Sequence, residues 1–121
     1  MINTKIAGVS FEGRQDLVRN IKISDVLILS KQPDNKYDKN AIAILDLEGN
    51  QLGFIKRELA SELAPAMDRG TKYKAKVSAI TGKEHNNIGV NIIIYLEGEE
   101  GIDTDTKESD EKYNIIPVGG Y

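Results

Sequence analysis

The sequence predicts a small, mostly antiparallel β-barrel or α+β sheet, with about six strands and two short helices. Three observations carry this expectation. Short apolar or alternating runs follow one another closely, as strands do. One pair of runs flanks Glu48-Gly49-Asn50, a glycine-containing hairpin turn. Helical spacing occurs only twice, too seldom to supply the crossover helices of a doubly wound parallel sheet.

Taken in order, Lys5–Phe11 (KIAGVSF) is a short apolar strand. Gly13–Ile21 puts Leu17, Val18 and Ile21 on one side at helical spacing, with Arg14 and Arg19 elsewhere. Asp25–Lys31 (DVLILSK) is a continuous apolar run bounded by turn residues, hence a strand. Ala41–Leu47 and Gln51–Ile55 are the arms of the hairpin. Arg57–Arg69 is helical, because Leu59, Leu63 and Met67 recur every fourth residue and Gly70 suits the position just past a helix end. Pro65 lies inside that pattern. It lacks the N–H that would bond Ser61, so a kink or a split is expected there. Lys72–Ile80 alternates, with Tyr73, Ala75, Val77 and Ala79 on one face and Lys72, Lys74, Lys76 and Ser78 on the other. Ile88–Leu96 is the last strand.

A chain of 121 residues favours one domain, here residues 1–97, followed by a tail over residues 98–121. Such a length buries roughly two thirds of the surface of the unfolded chain, enough for a core without staples. The net charge of −3 is unevenly spread: Glu97–Lys112 holds eight acidic residues and two lysines, and the remainder is mildly basic. That asymmetry hints at an anionic partner for the domain and disorder for the acidic tail. The tail turns apolar again at its end, YNIIPVGGY.

There is no cysteine and only one histidine, His85, so neither a disulfide framework nor a thiolate or histidine metal site is expected. No cofactor is expected either. No apolar run approaches the roughly 20 residues of a membrane span. The opening MINTKIAGVSF lacks the form of a secretory signal, so a cytoplasmic location and no membrane partner are expected.

Catalysis finds no support in the residues. His85 sits in a hairpin loop (GKEHNN), and neither G-x-S-x-G nor either glycine-rich phosphate signature is present. Binding has more. The stretch QPDNKYDKN sets Tyr37 among Asn35, Lys36, Asp38, Lys39 and Asn40. An exposed aromatic beside lysines and amides is how single-stranded nucleic acid is held. A plainer account makes Asp and Asn turn formers and folds the tyrosine back as a lid on the core. On the loop alone that plainer account stands first.

The segment QPDNKYDKNAIAI, followed by GNQLGFIKRELASELAPAMDRG, resembles the HIRAN domain family, as does the opening IAGVSFEGRQ. The resemblance runs from Lys5 to Leu96 and is most specific at YDKNAI and KRELA. It implies a small OB-like antiparallel β-barrel with two helices beside it. It also implies a stand-alone member of the bacterial or phage type. HIRAN domains of DNA translocases capture the 3′-hydroxyl end of single-stranded DNA during replication-fork processing and repair. The resemblance then implies that Tyr37 and Phe11 stack on terminal bases and that Asp38 accepts a hydrogen bond from the 3′-hydroxyl. Asn35 touches the terminal base or orders the loop, with Asn40 beside it, and Lys56 and Arg57 supply basic contacts to phosphate. Two positions depart from the eukaryotic DNA-binding members: Ser10 stands where they carry arginine, and Phe54 where they carry histidine. The implication is weaker phosphate contact, or a core place for Phe54.

The sequence therefore predicts a non-catalytic module for single-stranded DNA. The alternative is a protein-interaction domain on the same scaffold, with a DNA-processing protein as partner and the loop or the apolar carboxyl terminus as its contact.

Overall fold

In the computed structural model, residues 1–11, 13–85 and 87–99 are described. Six strands make one sheet: β1 (Ile2–Lys5), β2 (Val26–Lys31), β3 (Ile42–Leu45), β4 (Gln51–Phe54), β5 (Tyr73–Thr81) and β6 (Gly89–Leu96). Helix α1 (Arg14–Val18) follows β1, and α2 (Arg57–Asp68) follows β4. The strand order is β1-β6-β5-β2-β3-β4, and every pairing is antiparallel. The two edges curl toward each other and meet just beyond β1. There Ala7 and Phe54 exchange both backbone hydrogen bonds, at 2.8 and 2.9 Å.

That meeting requires glycine at position 53. A Cβ built there would lie 2.3 Å from the Ala7 carbonyl oxygen and 2.6 Å from Cγ2 of Ile6, closer than atoms approach without displacement. Inside the curl, one apolar cluster joins Val18 and Ile21 to Leu27, Ile42, Ile44, Leu52, Val77, Ile92 and Ile94, with Ala60, Leu63 and Ala64 of α2 packed on it.

The elements match the predicted order, with differences at their ends. The first strand lies at Ile2–Lys5 rather than Lys5–Phe11, because the chain turns after the Ala7 bridge, with the Phe11 N–H donating to the Gly8 carbonyl. Helix α1 stops at Val18, and Ile21 reaches the core from the turn that follows. Pro65 does not split α2. The orphaned carbonyl belongs to Ser61, whose exposed side of the helix lets water satisfy it. The helix ends in a Schellman motif, with the Thr71 N–H donating to Ala66 and the Gly70 N–H to Met67, both at 3.0 Å. Gly70 takes the left-handed φ of 100° that this cap needs. In β5 the alternation holds for Ala75 and Val77 and then breaks. A bulge between Val77 and Ala79 leaves Ala79 only half-buried. His85 is exposed, as expected, but closes a single turn of 3-10 helix, Lys83–His85, rather than lying in a plain loop. Except for Gly98 and Glu99, the acidic tail and its apolar end lie outside the described residues.

Candidate nucleic-acid interface

The loop between β2 and β3 is built by its own polar residues. The Asn35 Oδ1 accepts the N–H groups of Tyr37 at 2.9 Å and Asp38 at 3.1 Å, while its Nδ2 donates to Gln32 Oε1 at 3.2 Å. The Asp38 Oδ1 accepts the Asn40 N–H at 2.9 Å, and the Asp38 carbonyl accepts the Ala41 N–H at 3.0 Å. These are Asx-type turns, in which a short side chain stands in for backbone. Of the two tasks considered for Asn35, ordering the loop is the one its hydrogen bonds perform. Asn40 enters through its backbone.

Tyr37 stands at the tip of this frame and is 79% exposed, so it does not fold back on the core. The Lys36 ammonium lies 5.3 Å from its ring centre. The second carboxylate oxygen of Asp38 faces Arg57 at the start of α2, 3.8 Å from its Nε. Arg57 and Lys56 are both exposed, and Asp38 is partly sheltered.

Phe11 belongs to a neighbouring group. Its ring is 58% exposed. The Arg14 guanidinium lies 5.5 Å from the centre of Phe11 and 5.4 Å from that of Phe54. It also donates to the Gly8 carbonyl at 3.0 Å. The whole turn is fastened on its far side by Gln15. The side chain of Gln15 donates to the carbonyls of Val9 and Ile88, both at 3.0 Å, and accepts the Ile88 N–H at 2.8 Å. Phe54 is half-buried at the end of β4 and lies outside the apolar cluster.

The end of β4 links the two groups. Phe54 pairs with Ala43 of β3 and touches Arg14, and three residues later Arg57 meets Asp38. Six of the seven predicted residues thus lie in or directly beside this frame: Asn35, Tyr37, Asp38, Asn40, Lys56 and Arg57. Phe11 joins it through Arg14 and Phe54. Sequence reasoning missed Arg14, noted only as lying off the apolar side of its helix. The available signal was a permanent cation three positions after an aromatic in a glycine-bounded turn. Among the described residues no three His, Cys, Asp or Glu side chains gather as metal ligands, and no helix is long and apolar enough to cross a membrane.

The model of the HIRAN domain family matches residues 1–97. The human Helicase-like transcription factor is 47% identical over 45 residues, which are 37% of this chain and 4% of that protein. The Fanconi-associated nuclease 1 homolog of Arabidopsis thaliana is 24% identical over 101 residues, 83% of this chain and 11% of that protein. The matches therefore span small parts of much longer relatives. Among solved structures, a protein from Lactobacillus plantarum superposes with a TM-score of 0.69 at 18% identity, covering 79% of this chain and 91% of that one. The crystal structure of the HIRAN domain of human HLTF gives 0.62 at 25% identity, covering 86% and 83%. The NMR structure of that domain in its DNA-bound conformation gives 0.54 at 24% identity, covering 84% and 80%. The fold is the OB-like barrel of these domains, six antiparallel strands with two short helices. With a family model matched over residues 1–97, well over half of its length, the chain belongs to the HIRAN domain family.

Proposed function

We propose that residues 1–97 form a non-catalytic module that binds single-stranded DNA and captures its 3′-hydroxyl end, in DNA repair or replication-fork processing. On this reading residues 98–121 are an acidic tail outside the module. The observation that carries it is Tyr37, an aromatic ring 79% exposed on a loop held by its own hydrogen bonds. Nothing in the packing of the core explains that exposure, and a base has a π-face to match it. Tyr37 and Phe11 are the stacking surfaces, Lys56 and Arg57 the phosphate contacts. Asp38 accepts from the 3′-hydroxyl through Oδ2, the oxygen not used by Asn40. Membership in a family with a DNA-bound member, HLTF, supports DNA as the ligand. Fluorescence anisotropy with short single strands that differ only at the 3′ end tests the proposal. Preference for the 3′-hydroxyl over a 3′-phosphate is expected, and equal binding refutes end capture.

A protein partner is the second reading, and a separate surface favours it. Ile23, Val26, Ile28 and Leu47 are 43–68% exposed, with Val26 and Ile28 on the outer side of β2. Binding that weakens steeply with salt speaks for DNA, whereas an apolar protein interface is little affected.

A further inference from the structure

We infer that Arg14, whose guanidinium lies against both Phe11 and Phe54, is a phosphodiester-binding subsite. The inference rests on the single-strand reading above and adds a residue to it. Arginine carries five N–H donors in a planar fork and stays charged at any physiological pH. The side chain of Arg14 is half-buried, yet among the described residues no carboxylate stands within salt-bridge distance of it. Among the described residues its side chain donates only to the Gly8 carbonyl, at 3.0 Å. The two ring centres, at 5.4 and 5.5 Å, attract the guanidinium without carrying a net charge to neutralise it. A cation with no carboxylate partner among the described residues and with donors to spare suits an anion that offers two acceptor oxygens side by side, as the two non-bridging oxygens of a phosphodiester do.

Its position selects which anion. Phe11, 58% exposed, presents a stacking surface against the same cation. A base lying on Phe11 brings the phosphate attached to its sugar toward Arg14, whose guanidinium is 5.5 Å from the ring centre. The competing account is mechanical: Arg14 braces the turn between Gly8 and α1 by filling the gap between two rings. Both accounts predict a loss when the residue is removed. They differ in the role of charge.

The experiment measures binding of a short 3′-hydroxyl oligothymidine by anisotropy at several salt concentrations, for the wild-type chain, R14M and R14Q. Methionine keeps an apolar contact with both rings and glutamine keeps an N–H donor for the Gly8 carbonyl, so each neutral variant preserves one part of the brace. Each phosphate contact to a single strand contributes about 0.7 to the slope of log affinity against log salt. R14M and R14Q are therefore expected to flatten the slope by about 0.7 and to weaken low-salt binding about tenfold, the change expected for one charged hydrogen bond. An unchanged slope in R14M overturns the inference, whatever its affinity. Loss of the wild-type slope only in R14Q and not in R14M has the same meaning. No binding by the wild-type chain at low salt overturns the single-strand reading and this one together. Wild-type binding with unaltered slopes in the variants overturns this one alone.

Discussion

Nε of Arg57 stands 3.8 Å from Oδ2 of Asp38, and this pair joins the first turn of α2 to the loop before β3. At that distance, with Arg57 78% exposed, the contact adds little to stability. Its consequence is placement. It sets a carboxylate acceptor and a cation side by side at the foot of an exposed aromatic ring, with the carboxylate half committed to its own loop through the Asn40 N–H.

Tyr37→Ala separates binding from folding. An exposed ring has no cavity to leave, so unfolding in urea is expected to stay within about 0.5 kcal/mol of wild type. Single-strand binding measured by anisotropy is expected to weaken by about 1–3 kcal/mol, the usual cost of one lost base stack. A large loss of stability with unchanged binding excludes Tyr37 as a stacking surface.

Asn35→Ala tests whether the loop is pre-organised. The substitution removes the acceptor for two backbone N–H groups, those of Tyr37 and Asp38. Both can turn to water, so the stability cost is expected to be about 1 kcal/mol. Amide exchange at Tyr37 and Asp38 is expected to accelerate, and binding to fall with Tyr37 itself intact. Unchanged exchange at these two amides excludes the Asx frame as the source of loop order.

Gly53→Ala bears on the closure of the barrel. The added methyl meets the Ala7 carbonyl oxygen and Ile6, both fixed by the bridge and the core. A loss of about 1–3 kcal/mol or more is expected in chemical denaturation, the range for overpacking. Because Ala7 leads directly to the turn bearing Phe11, ligand binding is expected to fall as well. Wild-type stability in this variant excludes a tight contact at the bridge.

The fold was legible because its evidence is local. Alternation in Lys72–Ile80, the turn at Glu48-Gly49-Asn50 and the spacing of Leu59, Leu63 and Met67 each report a single element. The misplaced first strand shows the limit. Ile6 and Val9 are as apolar as strand residues, but pairing at Ile2–Lys5 is decided by β6, nearly ninety positions on, and by how closely Ala7 approaches Gly53. The candidate site divides in the same way. Asn35, Tyr37 and Asp38 are close in sequence and share one loop, whereas the group of Arg14 and Phe54 is formed only when β4 meets the turn after β1. A cation lying against a ring forty positions away leaves no mark in local spacing.

Asp38 provides the sharpest test of end capture. Its Oδ2 has no hydrogen-bonded partner among the described residues and faces the cation of Arg57. A 3′-hydroxyl can donate to it, whereas a 3′-phosphate would set negative charge against it. Two unit charges at 4 Å repel by about 1 kcal/mol in water and by about 4 kcal/mol at the effective dielectric of a protein surface. The wild-type chain is therefore expected to bind 3′-hydroxyl strands at least about fivefold more tightly than 3′-phosphorylated ones. Asp38→Ala is expected to narrow that gap by weakening the first and relieving the second. The same substitution removes the acceptor for the Asn40 N–H, so it also loosens the loop. Asp38→Asn keeps an acceptor for Asn40 and removes only the charge, which makes it the cleaner comparison. If end selection resides in charge, Asp38→Asn narrows the gap as far as Asp38→Ala does. If both variants keep the wild-type ratio of the two strands, selection at the 3′ end does not pass through Asp38.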